Sequence, residues 1–472
     1  MTPFQEFRLW ARRAPNGQRG AAAVAAVGVL GLLIWAAVPI ANSGSGGSNP
    51  VVDSGPIAVS STPPTPAPKP ADCTTATGPV NGVTDNQITI GVIIVEASGI
   101  ATNADLGILD ASIQRKAFAN MIKSLNAAGG VDCHQIVADY VTANPADQSG
   151  LQGICLDLAQ KKVFAVLDAG AFAAFKAVNC FGQHKLPYFG GYLLPNSQMA
   201  QWYPYLFELN SQDQVYRDMV VGLQQQGFFK SENGFTKLGY LYNDCHIELH
   251  DQVVQSLADA GVTADQTVGF NTGCTTAFTP GASLQQAILK FKHAGVTNVI
   301  VTGLVGDMST FTNLAQAQHF KPKYGFGDDS LITTSYGFAR PNPQNFDGAI
   351  AIAPDRNGEE KTPGTTQSAE TMKCGQIIGY DLWKVGNAAG NVCDQMWMFA
   401  AAVTHAPTLS QTSLADGLHA AKAVPFAYPQ APNDFAAGSK VTYGGQYWRP
   451  VQFHASCTCW QLISQAFHPT PS

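Results

Sequence analysis

The sequence predicts an α/β protein with two lobes, each built around its own parallel β-sheet. Short runs rich in β-branched and aromatic residues, at 88–95, 135–141 and 163–167, alternate with segments of helical periodicity. Strands that alternate with helices in this way form parallel sheets, because each helix returns the chain to the starting edge. A second series of the same kind begins after Asn210, and it predicts a second sheet.

The first lobe contains the clearest amphipathic helix, predicted over 105–128. Its apolar residues recur at helical spacing and form one stripe that can pack on the sheet. The helix is expected to end at Gly129 and Gly130, since glycine commonly follows the last helical turn. The members of the stripe are Leu106, Leu109, Ile113, Phe118, Met121, Ile122 and Leu125.

The chain after Asn210 repeats the alternation. Helices are predicted at 215–226, 246–260 and 284–293, and strands at 237–242, 267–270, 298–304 and 324–326. Two closing strands are expected at 447–452 and 457–460. This order predicts a second lobe with the same architecture as the first.

Composition excludes one class of partner. The chain has 472 residues, of which 45% are hydrophobic, enough to bury a core in each lobe. Its formal net charge is -6, and only 13% of the residues are charged. Nucleic-acid binding needs a basic face that neutralises phosphates. We therefore expect no nucleic-acid partner.

The N-terminal residues predict where the folded part lies. Four arginines precede an uncharged run at 21–41, which is long enough, at about 1.5 Å per residue, to cross a bilayer as a helix. Positively charged flanks stay on the cytoplasmic side. We therefore expect 1–20 in the cytoplasm and 21–41 as a transmembrane anchor for an extracytoplasmic protein. The arginines are Arg8, Arg12, Arg13 and Arg19.

A cleaved signal peptide that ends at Ser43 is the alternative, because small residues surround that position, and the protein would then be secreted. No cysteine lies between the apolar run and Cys73, so a lipid attached directly beyond that run is not supported. Residues 42–84 are rich in Gly, Ser, Pro and Thr and poor in large apolar side chains. We expect them to form a flexible tether without a core.

The ten cysteines are expected to form disulfides, because the environment outside the cell is oxidising. Three pairs are favoured by the predicted helices and strands: Cys155 with Cys180, Cys245 with Cys274, and Cys374 with Cys393. The partners of Cys73, Cys133, Cys457 and Cys459 stay open, since spacing does not fix connectivity. For the Cys-x-Cys motif at 457–459, a disulfide is favoured over a metal site because no second pair lies nearby in the sequence.

Several segments resemble a known family. They are ITIGV at 88–92, LNAAGGV at 125–131, VFAVL at 163–167, LPYFGG at 186–191, KLGYLYND at 237–244 and GVTNVIV at 295–301. Their order and spacing are similar to those of the leucine/isoleucine/valine-binding proteins, which are receptors of ABC transporters with the type I periplasmic-binding fold. The resemblance covers about residues 85–467.

This resemblance implies two Rossmann-like lobes joined by a three-strand hinge. Lobe 1 would contain 85–209 plus 335–440, and lobe 2 would contain 210–334 plus 441–467. A small solute would bind between the lobes, outside the carboxyl ends of the strands, where open parallel sheets hold their ligands. Contacts to both lobes would drive a hinge closure.

Loops after two strands of lobe 1 are expected to face the solute. Their backbone N–H groups can hold a carboxylate, and two aromatic side chains there can stack on a ring. Family members that bind amino acids usually supply a Ser or Thr hydroxyl at this place, whereas residues 171–174 here are Ala, Phe, Ala and Ala. An apolar or aromatic solute is therefore favoured. The loop candidates are Gly170, Ala171, Phe172, Gly190, Gly191 and Tyr192.

Lobe 2 is expected to supply an acid for a cationic group of the solute. Asp328 and Asp329 lie in the matching loop, with helix capping or turn formation as their alternative role. Asp244 and His246 follow another strand and are candidate cleft contacts, although Asp244 can also cap the next helix. His246 and His250 share a spacing that suits a metal, but the pattern is not His-Glu-x-x-His, and we expect no metal.

Catalytic motifs are missing from the sequence. It contains no Gly-x-Ser-x-Gly, no Gly-x-x-x-x-Gly-Lys and no Cys-x-x-Cys. We therefore expect a protein that binds a small solute without converting it, uses no cofactor and delivers the solute to an ABC-type permease. A membrane-anchored sensory or surface binding protein without a transporter is one alternative, and an α/β hydrolase-type enzyme is a more remote one.

Overall fold

A computed structural model describes most of the chain beyond the predicted tether. The described residues are 73, 74, 76, 78–97, 103, 109–145, 147–168, 176–191, 194–245, 247–274, 281–302, 307–327, 341–385, 389–428, 433–436, 438 and 440–470. The predicted anchor at 21–41 and most of the tether lie outside them. Within these residues, none of the helices has the length and apolar character that a membrane span requires.

The first lobe contains a five-stranded parallel sheet. Its strands are β1 (Gln87–Val95), β2 (Gln135–Ala143), β3 (Ala165–Asp168), β4 (Tyr188–Phe189) and β5 (Leu206–Phe207). They lie in the order β2-β1-β3-β4-β5. The inner strand β1 is buried along almost its whole length, as expected of a parallel strand with helices on both faces.

Helices that follow these strands cover the sheet. They are α1 (Ala111–Ala127), α2 (Gln148–Gln160), α3 (Asn179–Gln183) and α4 (Asn196–Gln201). α1 begins later than the predicted 105, since the backbone of Asp110 is extended. Phe118 and Met121 of the predicted stripe are fully buried in the same core as Ile90 of β1. These residues of the stripe therefore pack on the sheet as predicted, whereas Leu106 lies outside the described residues.

The second lobe contains a separate sheet. Its strands are β6 (Leu238–Tyr242), β7 (Thr267–Asn271), β8 (Asn298–Val301), β9 (Lys323–Gly327), β10 (Ile350–Ala353), β11 (Tyr447–His454), β12 (Cys459–Leu462) and β13 (His468–Pro469). They lie in the order β12-β11-β10-β9-β8-β6-β7, and β13 pairs with the start of β11. β6 to β10 are parallel, whereas β11 is antiparallel to β10 and forms a hairpin with β12.

Helices of the second lobe pack on both faces of its sheet. They are α5 (Gln212–Gln225), α6 (Ile247–Asp259), α7 (Gly281–Ala294), α8 (Asp307–Ala317) and α9 (Pro343–Phe346). α5 begins where it does because the Ser211 hydroxyl accepts a 3.2 Å hydrogen bond from the backbone N–H of Gln214. Met219 and Leu223 of α5 are fully buried in one core with Ile352 of β10.

After β10 the chain returns to the first lobe. The returning helices are α10 (Ala369–Ile378), α11 (Leu382–Val385), α12 (Gly390–Thr404) and α13 (Leu414–Ala421). α12 is buried along most of its length, and the ring of Phe399 contacts those of Phe164 and Phe189. Because these aromatic residues belong to lobe 1, α12 is part of its core.

The described chain passes between the lobes three times. The passages are 208–211 from β5 to α5, 354–368 from β10 to α10, and 422–446 from α13 to β11. One predicted boundary differs from the structure. Residues 343–353, which contain α9 and β10, were expected in lobe 1. Phe346 of α9 is instead buried in one core with Phe326 of β9, and Ile350 of β10 is paired with Gly325 of β9 in the second sheet.

Five disulfides cross-link the described residues. Three are the expected pairs, Cys155–Cys180, Cys245–Cys274 and Cys374–Cys393. The remaining two, which the sequence left open, are Cys73–Cys133 and Cys457–Cys459. Since Cys457 and Cys459 are bonded to each other, their thiolates are not available to a metal.

Candidate functional site

The passages connect the carboxyl-terminal edges of the two sheets. β5 and β10 each leave their sheet at the carboxyl end of the strand, and the antiparallel β11 enters the second sheet at that same edge. The strand ends of one lobe are therefore joined to those of the other. Parallel sheets bind ligands outside the carboxyl ends of their strands, so the candidate site lies between these two edges.

Two buried acids lie at the edge of the first sheet. β3, β4 and β5 end level with one another, and Asp168, Gly190 and Glu208 share that level. A Cβ atom on Gly190 would collide with Oε1 of Glu208, so the glycine leaves room for the glutamate side chain. Tyr188 donates a 2.6 Å hydrogen bond to Oδ2 of Asp168. Both acidic residues are 0% exposed.

The burial of these groups changes their acidity. Desolvation raises the pKa of Glu208 well above its ordinary value, and the charge of Asp168 raises it further. Burial likewise raises the pKa of Tyr188, with smaller contributions from both acids. Neither carboxyl oxygen of Glu208 accepts a hydrogen bond from a described residue. The protonated form of Glu208 is therefore favoured.

Glu208 also belongs to the hinge. It is the first residue of the passage from β5 to α5, and its backbone N–H donates a 2.9 Å hydrogen bond to the carbonyl of Thr442 in the third passage. The backbone N–H of Gly445 in that third passage donates to the carbonyl of Leu209 at 2.8 Å. Two of the three passages thus run together beside the buried acids, and Glu208 belongs to one of them.

A second set of contacts joins helices of the two lobes. The backbone N–H of Asn196, at the start of α4 in lobe 1, donates a 2.7 Å hydrogen bond to Oδ2 of Asp213 in α5. The neighbouring Ser197 hydroxyl donates a 2.8 Å hydrogen bond to Oε1 of Glu248 in α6. Burial raises the pKa of Asp213, although the Asn196 N–H opposes this shift. Two acids of lobe 2 therefore hold the first turn of α4.

The edge of the second sheet presents aromatic and polar side chains. The ring of His250 in α6 lies 4.1 Å from that of Tyr242 at the end of β6. Asp244, two residues further, is exposed and accepts a 3.0 Å hydrogen bond from Nδ2 of Asn271 at the end of β7. This contact joins the ends of two adjacent strands, and Asp244 stays open to solvent.

A buried charge network fixes the second passage. Oε1 of Glu359 lies 3.3 Å from Nη1 of Arg356 and also accepts a hydrogen bond from Arg449 of β11. The Tyr428 hydroxyl, from the third passage, donates a 3.1 Å hydrogen bond to Oδ2 of Asp355. Burial lowers the pKa of Arg449, and Glu359 opposes that shift. Since buried charges require partners, the network constrains both passages.

Sequence reasoning missed this network and the buried acids at Asp168 and Glu208. A signal for the network exists in the sequence, because the charged run DRNGEEK at 355–361 directly follows the apolar strand β10. For Glu208 there is a weaker one, namely an acid between apolar residues in LFEL at 206–209. Neither segment shows which partners the fold will place beside it.

Three of the predicted solute contacts fall within the described residues. The N–H of Gly190 donates a 2.9 Å hydrogen bond to the carbonyl of Phe207, so it is used within the sheet and not for a carboxylate. Gly191 is buried, and its carbonyl accepts a hydrogen bond from Leu209. Asp244 is exposed at the edge of the second sheet. The candidates outside the described residues are Gly170, Ala171, Phe172, Tyr192, His246, Asp328 and Asp329.

Metal binding was not expected from the sequence. Across the described ranges, no three or more His, Cys, Asp or Glu side chains are grouped so that they could hold a metal ion. His250 is within those ranges, with its ring 4.1 Å from that of Tyr242, whereas its predicted companion His246 lies outside them.

Solved structures share this fold. The branched-chain amino acid transporter substrate-binding protein LivJ of Streptococcus pneumoniae, in complex with isoleucine, superposes with a TM-score of 0.57 at 16% identity, over 80% of this chain and 99% of that one. A solute-binding protein of an ABC transporter from R. palustris, in complex with 4-hydroxybenzoate, has a TM-score of 0.58 at 13% identity, over 82% of this chain and 98% of that one. A periplasmic binding protein type 1 from Bordetella pertussis has a TM-score of 0.59 at 13% identity, over 82% of this chain and 100% of that one.

Sequence comparison gives the family. None of the curated protein sequences matches this chain at a significant level. The family described as periplasmic binding protein matches residues 87–452, which include every strand from β1 to β10 and most of β11. Its members bind solutes and are not enzymes, in agreement with two sheets whose carboxyl edges are joined by three passages. This chain belongs to the periplasmic binding protein family, with the type I fold.

Proposed function

We propose that this protein captures a small solute between its two lobes and presents it to an ABC-type importer outside the cytoplasm. The observation that carries the proposal is the joining of both carboxyl-terminal sheet edges by three passages. In this arrangement, a solute between the two edges can contact both lobes. A solute that contacts both lobes stabilises the state in which they are close together. The family match supports binding without chemical conversion.

The solute class we propose is a hydrophobic or aromatic molecule with an amine or hydroxyl group, an amino acid-like solute or amide included. Residues 171–174 offer no side-chain hydroxyl for an amino-acid carboxylate, while Asp328 and Asp329 offer acids for a cationic or hydroxyl group. Two of the solved structures of similar fold are complexes, one with isoleucine and one with 4-hydroxybenzoate. Those two ligands span the range from branched-chain amino acid to aromatic acid.

We further propose that 21–41 anchors the protein in the cell membrane and that 42–84 holds the lobes away from it. The uncharged run at 21–41 is flanked by arginines on its N-terminal side only, which favours an extracytoplasmic location for the lobes. A sensory or surface role without a transporter is the alternative, favoured by the missing lipid-attachment cysteine. Co-purification with a permease from membranes distinguishes the importer role from the sensory one.

A thermal-shift screen tests the solute class. Purified protein is melted with amino acids, amides, aromatic acids, aromatic amines and sugars. A solute at about 100 times its Kd stabilises the folded state by about 2.7 kcal/mol, which raises Tm by several degrees. We expect hydrophobic amines or aromatic solutes to do this, and chromatography to recover them unchanged. A response to sugars alone, or conversion of the solute, would contradict the proposal.

A further inference from the structure

The disulfide between Cys457 and Cys459 differs from the others in its position. It closes the turn between β11 and β12 and has a sequence separation of 2, whereas the other four pairs have separations of 60, 25, 29 and 19. A disulfide stabilises mainly by restricting the unfolded chain, and this effect falls with the length of the closed loop. The pair at the turn therefore contributes least to the stability of the fold.

The hairpin is also held by contacts that do not involve this bond. Val451, Gln452, Phe453 and His454 of β11 pair in register with residues of β12. The rings of Phe453 and Trp460 lie 5.6 Å apart, and both side chains are buried in the core of lobe 2. Opening of the disulfide would leave these contacts in place. Neither the strand register nor the packing of these two rings involves the disulfide.

Exposure and backbone geometry both favour attack on this bond. Cys457 and Thr458 are exposed and Cys459 is half-buried, while Cys155 and Cys374 of two other pairs are 0% exposed. Thr458 has a φ of 50°, a left-handed conformation that is unfavourable for a β-branched residue. Reduction removes the constraint that closes this short ring. Exposed disulfides under constraint are the ones that undergo exchange.

We propose that Cys457–Cys459 is a reversible thiol–disulfide exchange site for an external dithiol. The thiolate of the dithiol attacks Sγ of Cys457, the more exposed of the two cysteines, and forms a mixed disulfide while the bond to Cys459 breaks. Cys459 leaves as a thiolate and takes a proton from water. The second thiol of the reagent then attacks the reagent sulfur that is bonded to Cys457. This step releases Cys457 as a thiolate, leaves the reagent as a cyclic disulfide and completes a two-electron reduction of the protein.

The experiment measures which disulfide opens first in the folded full-length protein. Native protein is equilibrated with increasing dithiothreitol, free thiols are blocked with N-ethylmaleimide, and the labelled peptides are mapped by mass spectrometry. We expect Cys457 and Cys459 to be labelled at a reagent concentration at least about tenfold below that which opens any other pair. Oxidised glutathione should restore the bond after the reagent is removed.

The matched control is Cys245–Cys274, the other pair with an exposed cysteine, which is Cys274. Opening of that pair at the same or a lower concentration would overturn the proposal. A Cys457→Ser/Cys459→Ser variant should melt within a few degrees of the wild type and show no labelling at low reagent. Failure of this variant to fold would also overturn the proposal, because the bond would then be structural. These readouts use no solute and are independent of the proposed transport role.

Discussion

The hydroxyl of Ser197 in lobe 1 donates a 2.8 Å hydrogen bond to Oε1 of Glu248 in lobe 2. The side chains come from α4 and α6, two helices that share no sheet, and the contact therefore exists only while the lobes are close together. Beside it, Asn196 donates to Asp213. These two bonds form a polar clasp whose breakage is required for the lobes to separate at this point.

Removal of the clasp should shift the protein towards the separated state. For Ser197→Ala we expect a two- to tenfold weaker solute affinity, since a net hydrogen bond contributes about 0.5–1.5 kcal/mol. Isothermal titration calorimetry measures the change. The matched control is Ser231→Ala, an exposed serine of lobe 2 away from α4, which should leave the affinity unchanged. Equal affinities for the two variants would mean that the clasp does not bias the lobes.

The buried Glu208 predicts a pH dependence of stability. Its pKa in the folded protein is raised above that of the unfolded chain. Above about pH 4.3 the folded state therefore keeps a proton on Glu208 that the unfolded chain has lost. The contribution of this group is therefore fully present below about pH 4.3 and is lost as pH rises through the folded pKa. Glu208→Gln keeps the shape and removes the titration.

We expect Glu208→Gln to raise Tm at pH 8 and to change it little at pH 4.5. Melting curves between pH 4.5 and pH 8 give the slope of Tm against pH for each protein. The control Glu232→Gln replaces an acid whose side chain is 74% exposed and should leave the slope as in the wild type. A Glu208→Gln protein that loses stability at pH 8 would show instead that Glu208 is needed there as an anion.

The proposed solute contact at Asp329 predicts a selective loss of binding. Asp329→Ala should weaken the binding of a cationic solute by tenfold or more, since a charge-assisted hydrogen bond contributes about 1.5–3 kcal/mol. Asp251→Ala, in the exposed part of α6, is the control and should cost little. Direct titration of both variants measures the effect. Equal losses would remove Asp329 from the site.

The C-terminal residues stabilise the second lobe through Thr470. Its hydroxyl accepts a 2.7 Å hydrogen bond from Nε2 of Gln214 and donates a 3.0 Å bond to Oδ2 of Asp218, both in α5. Burial raises the pKa of Asp218 to about 8. Thr470→Val should lower the free energy of unfolding by about 1–3 kcal/mol, because it leaves buried polar groups without a partner. Urea denaturation measures this loss, and Thr470→Ser should restore most of it.

Alternation and periodicity predicted most of the parallel strands and the apolar face of α1, but not the strands β5 and β10. The pattern works there because Phe118 and Met121 recur at helical spacing and pack locally on β1. β10 was assigned to the wrong lobe. Its membership depends on pairing with β9 and β11, of which the latter lies about a hundred residues away in sequence, and no local pattern contains such pairing.

Buried polar partners were harder to foresee. The backbone N–H of Gly190, which was predicted to hold a carboxylate, donates to the carbonyl of Phe207 because β5 pairs with β4 at the edge of the sheet. The proximity of Glu208 to Asp168 follows from the strand register across Gly190. Disulfides were partly foreseeable, since Cys155 and Cys180 flank one strand, whereas Cys73–Cys133 joins segments 60 residues apart.

Small-angle X-ray scattering with and without a solute tests the central claim, that the two lobes close on their ligand. The solute is one that raises Tm and binds stoichiometrically. We expect a smaller radius of gyration in its presence and a reduced effect in Ser197→Ala at subsaturating concentration. An unchanged radius of gyration at full saturation would contradict closure of the lobes around the solute.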